Sequence, residues 1–261
     1  MSDLDLPKAL VAAREAAEAA AEVIRHYWRR GVDVEIKSDD TPVTVADREA
    51  ELAIRKVLQQ ALPQASIYGE EFGRDDNNHE LLWMVDPLDG TKSFVRRTPF
   101  FSTQIALMHR GELVLGVSSA PIYGETMWAS AGGGTWFEGE RVHVAATGEM
   151  AKASLSTGNI KTLTKDARWD ALGAMIRDSN RIRGYGDFCH YHLLARGSLD
   201  LVIESDVNIL DIAALAVIVR EAGGVFTDIQ GNALTLDTTS VLAGTPAIHA
   251  QALARFSSAH H

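Results

Sequence analysis

The sequence predicts a layered α+β or mixed α/β sandwich, and three observations lead there. Two helical patterns open the chain, short apolar runs bounded by Gly, Pro, Asp or Glu fill its middle, and helical and extended patterns alternate after residue 150.

Residues 7 to 30 are alanine-rich, with apolar positions at Leu10, Ala13, Ala17, Ala20, Ile24 and Tyr27 spaced three or four apart, and Gly31 stands where a helix would stop. Thr44 with Asp47 reads as a helix start, and the pattern runs to about Leu62-Pro63. Ala65–Tyr68, Leu81–Val85, Gln104–Met108 and Leu113–Ser118 are too short for helices and read as strands. The stop around Gly111 predicts a hairpin between the last two, and Gly132-Gly133-Gly134 a second hairpin loop. Further on, helices are expected near 167–178, 187–196, 208–222 and 245–256, and strands near 199–204, 225–228 and 240–243. The change near 145–155 divides the chain into a half spanning 1–150 and a half spanning 151–261, closely joined as one unit.

The chain has 261 residues and a formal charge of −10, with 46% hydrophobic and 23% charged residues. That composition argues against disorder, and the acidic balance against a broad basic face for nucleic acid. It leaves room for a small anionic substrate, because divalent cations reverse the sign of a carboxylate-rich pocket. A single cysteine, Cys189, excludes an internal disulfide and a multi-thiolate zinc site and reads as a buried structural residue. The acidic start lacks a signal-peptide pattern, and the longest strongly apolar run, Ile212–Val219, is far short of a bilayer span. A soluble cytoplasmic protein with no membrane partner is expected. His260-His261 resembles a tag remnant and carries no argument.

The sharpest motif is Asp86-Pro87-Leu88-Asp89-Gly90-Thr91, at the end of an apolar run. Pro87 predicts a turn that brings Asp89 round to Asp86. Two carboxylates pressed together raise each other's pKa unless a cation lies between them, and oxygen-only ligands select hard ions, Mg²⁺ first. Gly90-Thr91 open a helix start, where free N–H groups receive phosphate. Asp-x-x-Asp-Gly alone reads better as a polar turn with an Asp N-cap. Three weaker features are Glu70-Glu71 after Ile67-Tyr68-Gly69, Asn208 with Asp211 opening an apolar helix, and the run from Lys37 through Asp39, Asp40 and Thr44 to Asp47. Taken singly, helix capping explains the last two, and a solvated surface the first.

In this order the four features resemble the inositol monophosphatase family of Mg²⁺-dependent, lithium-sensitive phosphatases. The resemblance is carried by Lys37…Thr44-x-x-Asp47, Gly69-Glu70-Glu71, Asp86-Pro-Leu-Asp89-Gly-Thr91, and Asp211-x-Ala-Ala followed by Val219-Arg-Glu-Ala-Gly-Gly224. It implies an αβαβα sandwich, commonly a homodimer, with most metal ligands in the first half and substrate-facing residues in the second. It further implies that Glu70, Asp86 and the Leu88 carbonyl hold one Mg²⁺ and that Asp86, Asp89 and Asp211 hold a second, with a third, weaker ion near Glu70. Thr91, oriented by Asp47 and assisted by Glu70, would position the attacking water, and the Gly90 and Thr91 N–H groups would grip phosphate. Li⁺ would inhibit. One departure is Leu210, where the family usually has Trp before the last metal Asp.

Lys92-Ser93-Phe94 after Gly-Thr, and Arg183-Gly-Tyr-Gly186-Asp187-Phe188, resemble the histidinol-phosphate phosphatases, particularly the bacterial ones. That subgroup hydrolyses L-histidinol phosphate in histidine biosynthesis. An Asp at position 187 suits a substrate carrying an ammonium and an imidazole; the alternative is that Asp187 merely caps the 187–196 helix. Glu204, which aligns with a substrate-contacting acid, and the weaker candidate Arg183 complete the expected substrate contacts. A broad inositol monophosphatase is the alternative activity, and a scaffold or regulatory protein that keeps the fold is the alternative of another class.

Overall fold

The computed structural model describes residues 4–31, 34–36, 42–75 and 80–258. Lys37, Asp39, Asp40 and the terminal histidines therefore lie outside the described residues. The first half runs α1 (Leu6–Arg30), β1 (Val34–Ile36), β2 (Pro42–Thr44), α2 (Val45–Ala61), β3 (Ser66–Gly69), β4 (Gly73–Arg74), β5 (Leu81–Asp89) and α3 (Thr91–Val95). It continues with β6 (Ser102–His109), β7 (Glu112–Ala120), β8 (Glu125–Ser130), β9 (Gly134–Phe137) and β10 (Glu140–Val142). The rest runs β11 (Ser154–Thr157), α4 (Arg168–Asp178), β12 (Arg181–Arg183), α5 (Asp187–Ala195), β13 (Leu201–Ser205), α6 (Ile209–Glu221), β14 (Val225–Thr227), β15 (Ser240–Gly244) and α7 (Pro246–Ser258).

Two sheets organise these elements. The larger has eight strands in the order β10-β9-β8-β7-β6-β5-β3-β4, antiparallel except for the β3–β5 pair, and includes the hairpins expected at Gly111 and at Gly132–Gly134. The smaller has five strands in the order β12-β11-β13-β15-β14, parallel on one side and antiparallel on the other. Alternation along β5 divides its side chains between two cores, as the two-residue period of a strand requires. Trp83 and Val85 pack with α1 and α2, whereas Leu82 and Met84 pack with α5, α6 and one face of the smaller sheet. The other face of that sheet, through Leu155, Leu201, Ile203 and Leu242, packs against α4 and α7. The layers are thus helix, sheet, helix, sheet, helix, the αβαβα order the family resemblance implies.

The middle helical layer explains the composition of α6. Ten of its residues, from Ile209 to Val219, are buried, so the helix is apolar all round because a sheet covers each side. Its axis comes close to β7: a Cβ on Gly116 would stand 2.3 Å from the Ala214 carbonyl oxygen. A bulky residue at 116 would push the helix, and with it Asp211, off the sheet.

Two expectations need correction. The Asp86–Asp89 segment is not a turn: β5 continues to Asp89 through a bulge in which Asp86 pairs with Gln104 and Asp89 with Ser102. Pro87 is tolerated there because a bulge frees its position from the ladder, while its carbonyl accepts from Thr103 Oγ1 at 2.8 Å. Cys189 is partly exposed rather than buried, lying in the first turns of α5 beside the surface. No described helix is long and apolar enough to cross a membrane.

Candidate active site

Two element ends converge where the large sheet meets the middle helical layer. Asp86, an even-numbered residue of β5, points to the same side as Met84, toward the start of α6. The bulge returns Asp89 to that region, and α6 brings Asp211 in its first turn. One oxygen from each of Asp86, Asp89 and Asp211 lies within 4.8 Å of the others, and no other trio of potential metal ligands comes this close among the described residues. A cleft of about 280 Å³ opens over them, lined also by Glu70, Leu88, Gly90, Thr91, Lys92, Ser93, Asn159 and Asp187. A larger groove of about 660 Å³ near Asp206 and Asp228 lacks such a trio.

The electrostatics of the cleft suit a cation. Burial, then Glu70, Asp89 and Asp211, pushes the Asp86 carboxyl well above the usual carboxylate range. Burial, then Asp211, Asp187 and Glu204, does the same to Asp89. Burial raises Asp211 to about 6 despite a bond from the Asn208 N–H to its Oδ2 at 2.9 Å. Carboxylates so crowded and dry ionise together only when a positive charge compensates them. The donor set is oxygen alone, which fits a hard divalent cation.

Capping and site geometry use the same side chains. Asp211 closes a capping box with Asn208 through one oxygen, and its carboxylate also belongs to the trio. Asp47 does likewise at α2: its Oδ2 accepts from the Thr44 N–H at 2.8 Å and the Thr44 hydroxyl at 2.6 Å, while Oδ1 accepts from the Thr91 hydroxyl at 2.9 Å. The Thr91 proton is shared with the Leu88 carbonyl at 3.1 Å. Gly90 caps α3 at φ +92°, and a Cβ there would meet the Phe100 carbonyl oxygen at 2.7 Å, so glycine is the residue that fits.

The neighbouring recess is acidic as well. Asp187 is the first residue of α5 at φ +46°; Gly186 holds the cap position, and the Asp187 side chain makes no capping bond. Capping therefore does not account for it. Burial, then Glu204, pushes Asp187 up to about 6. Glu204 itself is 5% exposed and lines a recess of about 60 Å³ with Asp89, Asn159, Asp187 and Asp211. Burial pushes Glu204 up, but His190 at 3.2 Å, the Tyr191 hydroxyl at 2.8 Å and the Asn159 N–H at 3.1 Å more than offset it and hold it below its ordinary value. Arg183 lies outside both recesses: it is exposed and donates to the adjacent Ile182 carbonyl at 2.7 Å.

Sequence reasoning missed the group that supports Glu70. Glu51 is fully buried; its Oε2 accepts from the Glu71 N–H at 2.7 Å and its Oε1 from Arg55 Nε at 2.7 Å. Arg55 continues to Asp75 at 3.2 Å and to the Gly73 carbonyl at 2.8 Å. Gly69 admits this carboxylate, since a Cβ there would stand 1.9 Å from Glu51 Oε1. The available signal was an ion pair spaced i, i+4 on the inner face of α2.

A five-layer αβαβα sandwich with a carboxylate trio beside a Gly-Thr helix start defines a phosphoric monoester hydrolase. The chain belongs to the inositol monophosphatase family, whose model matches residues 5–261. It is 37% identical over 240 residues to a histidinol-phosphatase of Streptomyces coelicolor, covering 88% of each chain. It is 36% identical over 265 residues to the chloroplastic bifunctional phosphatase of Arabidopsis thaliana, covering 97% of this chain and 76% of the other. Among solved structures, an inositol monophosphatase from Zymomonas mobilis superposes with a TM-score of 0.85 at 32% identity, covering 97% of this chain and 99% of that one.

Proposed function

We propose that the protein is a Mg²⁺-dependent phosphatase that hydrolyses L-histidinol phosphate to L-histidinol and inorganic phosphate. The observation that carries the substrate is Asp187: a half-buried carboxylate on the cleft wall, raised to about 6 by burial and Glu204 and only partly offset by His190, with no capping bond to account for it. The ammonium of histidinol phosphate supplies a positive charge there, and a charge-assisted bond is worth more than a neutral one. Identity with histidinol-phosphatases of three bacteria at 32–37% supports the same choice.

Glu70, Asp86, the Leu88 carbonyl, Asp89 and Asp211 would hold two to three Mg²⁺ ions. Bound there, Mg²⁺ lowers the pKa of water and neutralises phosphate charge. The rest falls to the chain itself. Asp47 Oδ1 orients the Thr91 hydroxyl, which can then accept a hydrogen bond from the attacking water and relay the water's proton to the Asp47 carboxylate as its own proton moves to Oδ1. Glu70 stands in the same cleft to assist. The first N–H groups of α3, at Gly90 and Thr91, have no partners within the helix and face phosphate, with Lys92 and Ser93 on the cleft wall. Glu204 adds negative charge behind Asp187 and fixes the Asn159 loop through its N–H. The same reading includes a homodimer in the cytoplasm, inhibition by Li⁺, and a minor activity on inositol phosphates.

The test is phosphate release from L-histidinol phosphate by EDTA-treated protein before and after Mg²⁺ is restored. Turnover should appear only with Mg²⁺; full-rate hydrolysis in EDTA overturns the proposal.

A further inference from the structure

A row of buried polar side chains runs from Asp89 into the core, and the candidate mechanism uses none of it. Ser102 Oγ donates to Asp89 Oδ2 at 3.4 Å. Gln104 Nε2 donates to Ser102 Oγ at 2.8 Å and to Ser118 Oγ at 3.0 Å, and Ser118 Oγ meets His192 Nε2 at 2.8 Å. Ser102, Gln104 and Ser118 are fully buried, and His192 is 1% exposed.

Proton counting gives the row a direction. Both amide hydrogens of Gln104 go to serine oxygens, so neither serine receives its acceptor from Gln104. Ser102 is left with one acceptor in reach, Asp89, and Ser118 with one, His192 Nε2. His192 is then neutral with its proton on Nδ1, consistent with burial and Arg196 lowering it to about 3. The arrangement is costly, because Gln104 Oε1 and His192 Nδ1 are buried with no hydrogen-bond partner among the described residues. Apolar residues would fill this core without orphaned atoms. What the polar row contributes is a donor held against one specific oxygen of Asp89.

We propose that Ser102 and Gln104 are positioning residues for Asp89: Gln104 fixes the Ser102 hydroxyl, and that hydroxyl turns the Asp89 carboxylate toward the cation, with Ser118 and His192 anchoring the far end on α5. The inference rests on Asp89 being an ion ligand. Groups that orient ligands from behind commonly carry 10- to 100-fold in metal affinity. The contact to Asp89 is long, so an effect near the lower end is expected.

The experiment is calorimetric titration of the metal-free full-length protein with Mg²⁺ alone, for wild type, Asp89→Asn, Ser102→Ala, Gln104→Met and the Ser102→Ala/Gln104→Met double variant. Ser102→Ala and Gln104→Met should each weaken Mg²⁺ by about 10-fold, and the double variant should be no weaker than Ser102→Ala. Turnover should need correspondingly more Mg²⁺ for half-saturation, with kcat recovering once Mg²⁺ saturates. Wild-type Mg²⁺ affinity in both single variants, beside a weakened Asp89→Asn, overturns the inference and leaves the ligand assignment standing. Unchanged affinity in Asp89→Asn overturns the assignment and the inference with it. Additive losses in the double variant overturn the role of Gln104 as acting through Ser102. Should Ser102→Ala fail to fold, Gln104→Met, nearly isosteric, carries the comparison.

Discussion

Asp47 uses its two oxygens for two tasks: Oδ2 closes the first turn of α2 on Thr44, and Oδ1 takes the Thr91 hydroxyl across 44 residues of chain. A residue that would cap a helix in any protein is here the link between that helix and the cleft. Asp47→Asn should therefore have two separable effects. Loss of the carboxylate is expected to lower kcat by roughly 10²–10⁴-fold, and the disturbed cap to cost about 1 kcal/mol. Steady-state kinetics and thermal melts measure the two independently.

The acidic trio makes metal-free protein sensitive to base. Asp86, Asp89 and Asp211 have folded pKa values raised above their ordinary ones by burial and by one another, Asp211 to about 6. The native state thus holds these protons more tightly than the unfolded chain. For Asp211 the stability this contributes is complete below about pH 4 and is lost as pH rises to about 6. Relative to Mg²⁺-saturated protein, Tm in EDTA should fall by on the order of 5 °C as pH rises from about 4 to about 6. An equal slope with and without Mg²⁺ would contradict the trio as a cation site. His192 acts in the opposite direction: its folded pKa is lowered to about 3, so its contribution is present above about 6.5 and is lost as pH falls below that.

Gly69→Ala is expected to be severe for a residue on no catalytic list. The added Cβ would collide with Glu51 Oε1, forcing a buried carboxylate away from Arg55 and the Glu71 N–H. A loss of about 2–4 kcal/mol follows from overpacking together with an unpaired buried charge. Denaturant melts check this, and weaker Mg²⁺ binding through displaced Glu70 should accompany it.

Periodicity made the long elements legible. α1, α2 and α6 lie within two residues of the expected spans, because each buries a face, or its whole circumference, over three or more turns. Strands β8 to β10 left only the hairpin glycines as a trace, since they mix Glu, Thr and Arg with aromatic residues at the sheet edge. Asp86, Asp89, Asp47 and Asp211 stood out because each marks an element end. Ser102 and Gln104 did not, because what makes them notable is contact across sheet and helix layers, which no local pattern encodes; Glu51 left only its i, i+4 spacing to Arg55 as a trace. Asp187 was legible as a residue but not as a conformation: a positive φ at the first position of a helix has no signature in a single sequence.

The measurement that tests the substrate most directly is kcat/KM with Mg²⁺ for L-histidinol phosphate and inositol 1-phosphate, on wild type and Asp187→Ala. Wild type should favour histidinol phosphate, and Asp187→Ala should lose about 10–150-fold on that substrate, the worth of one charged hydrogen bond. Its rate on inositol phosphate should stay within a few-fold. A wild-type preference for inositol phosphate, or an equal loss on both substrates, would contradict Asp187 as the residue that selects an ammonium-bearing ester.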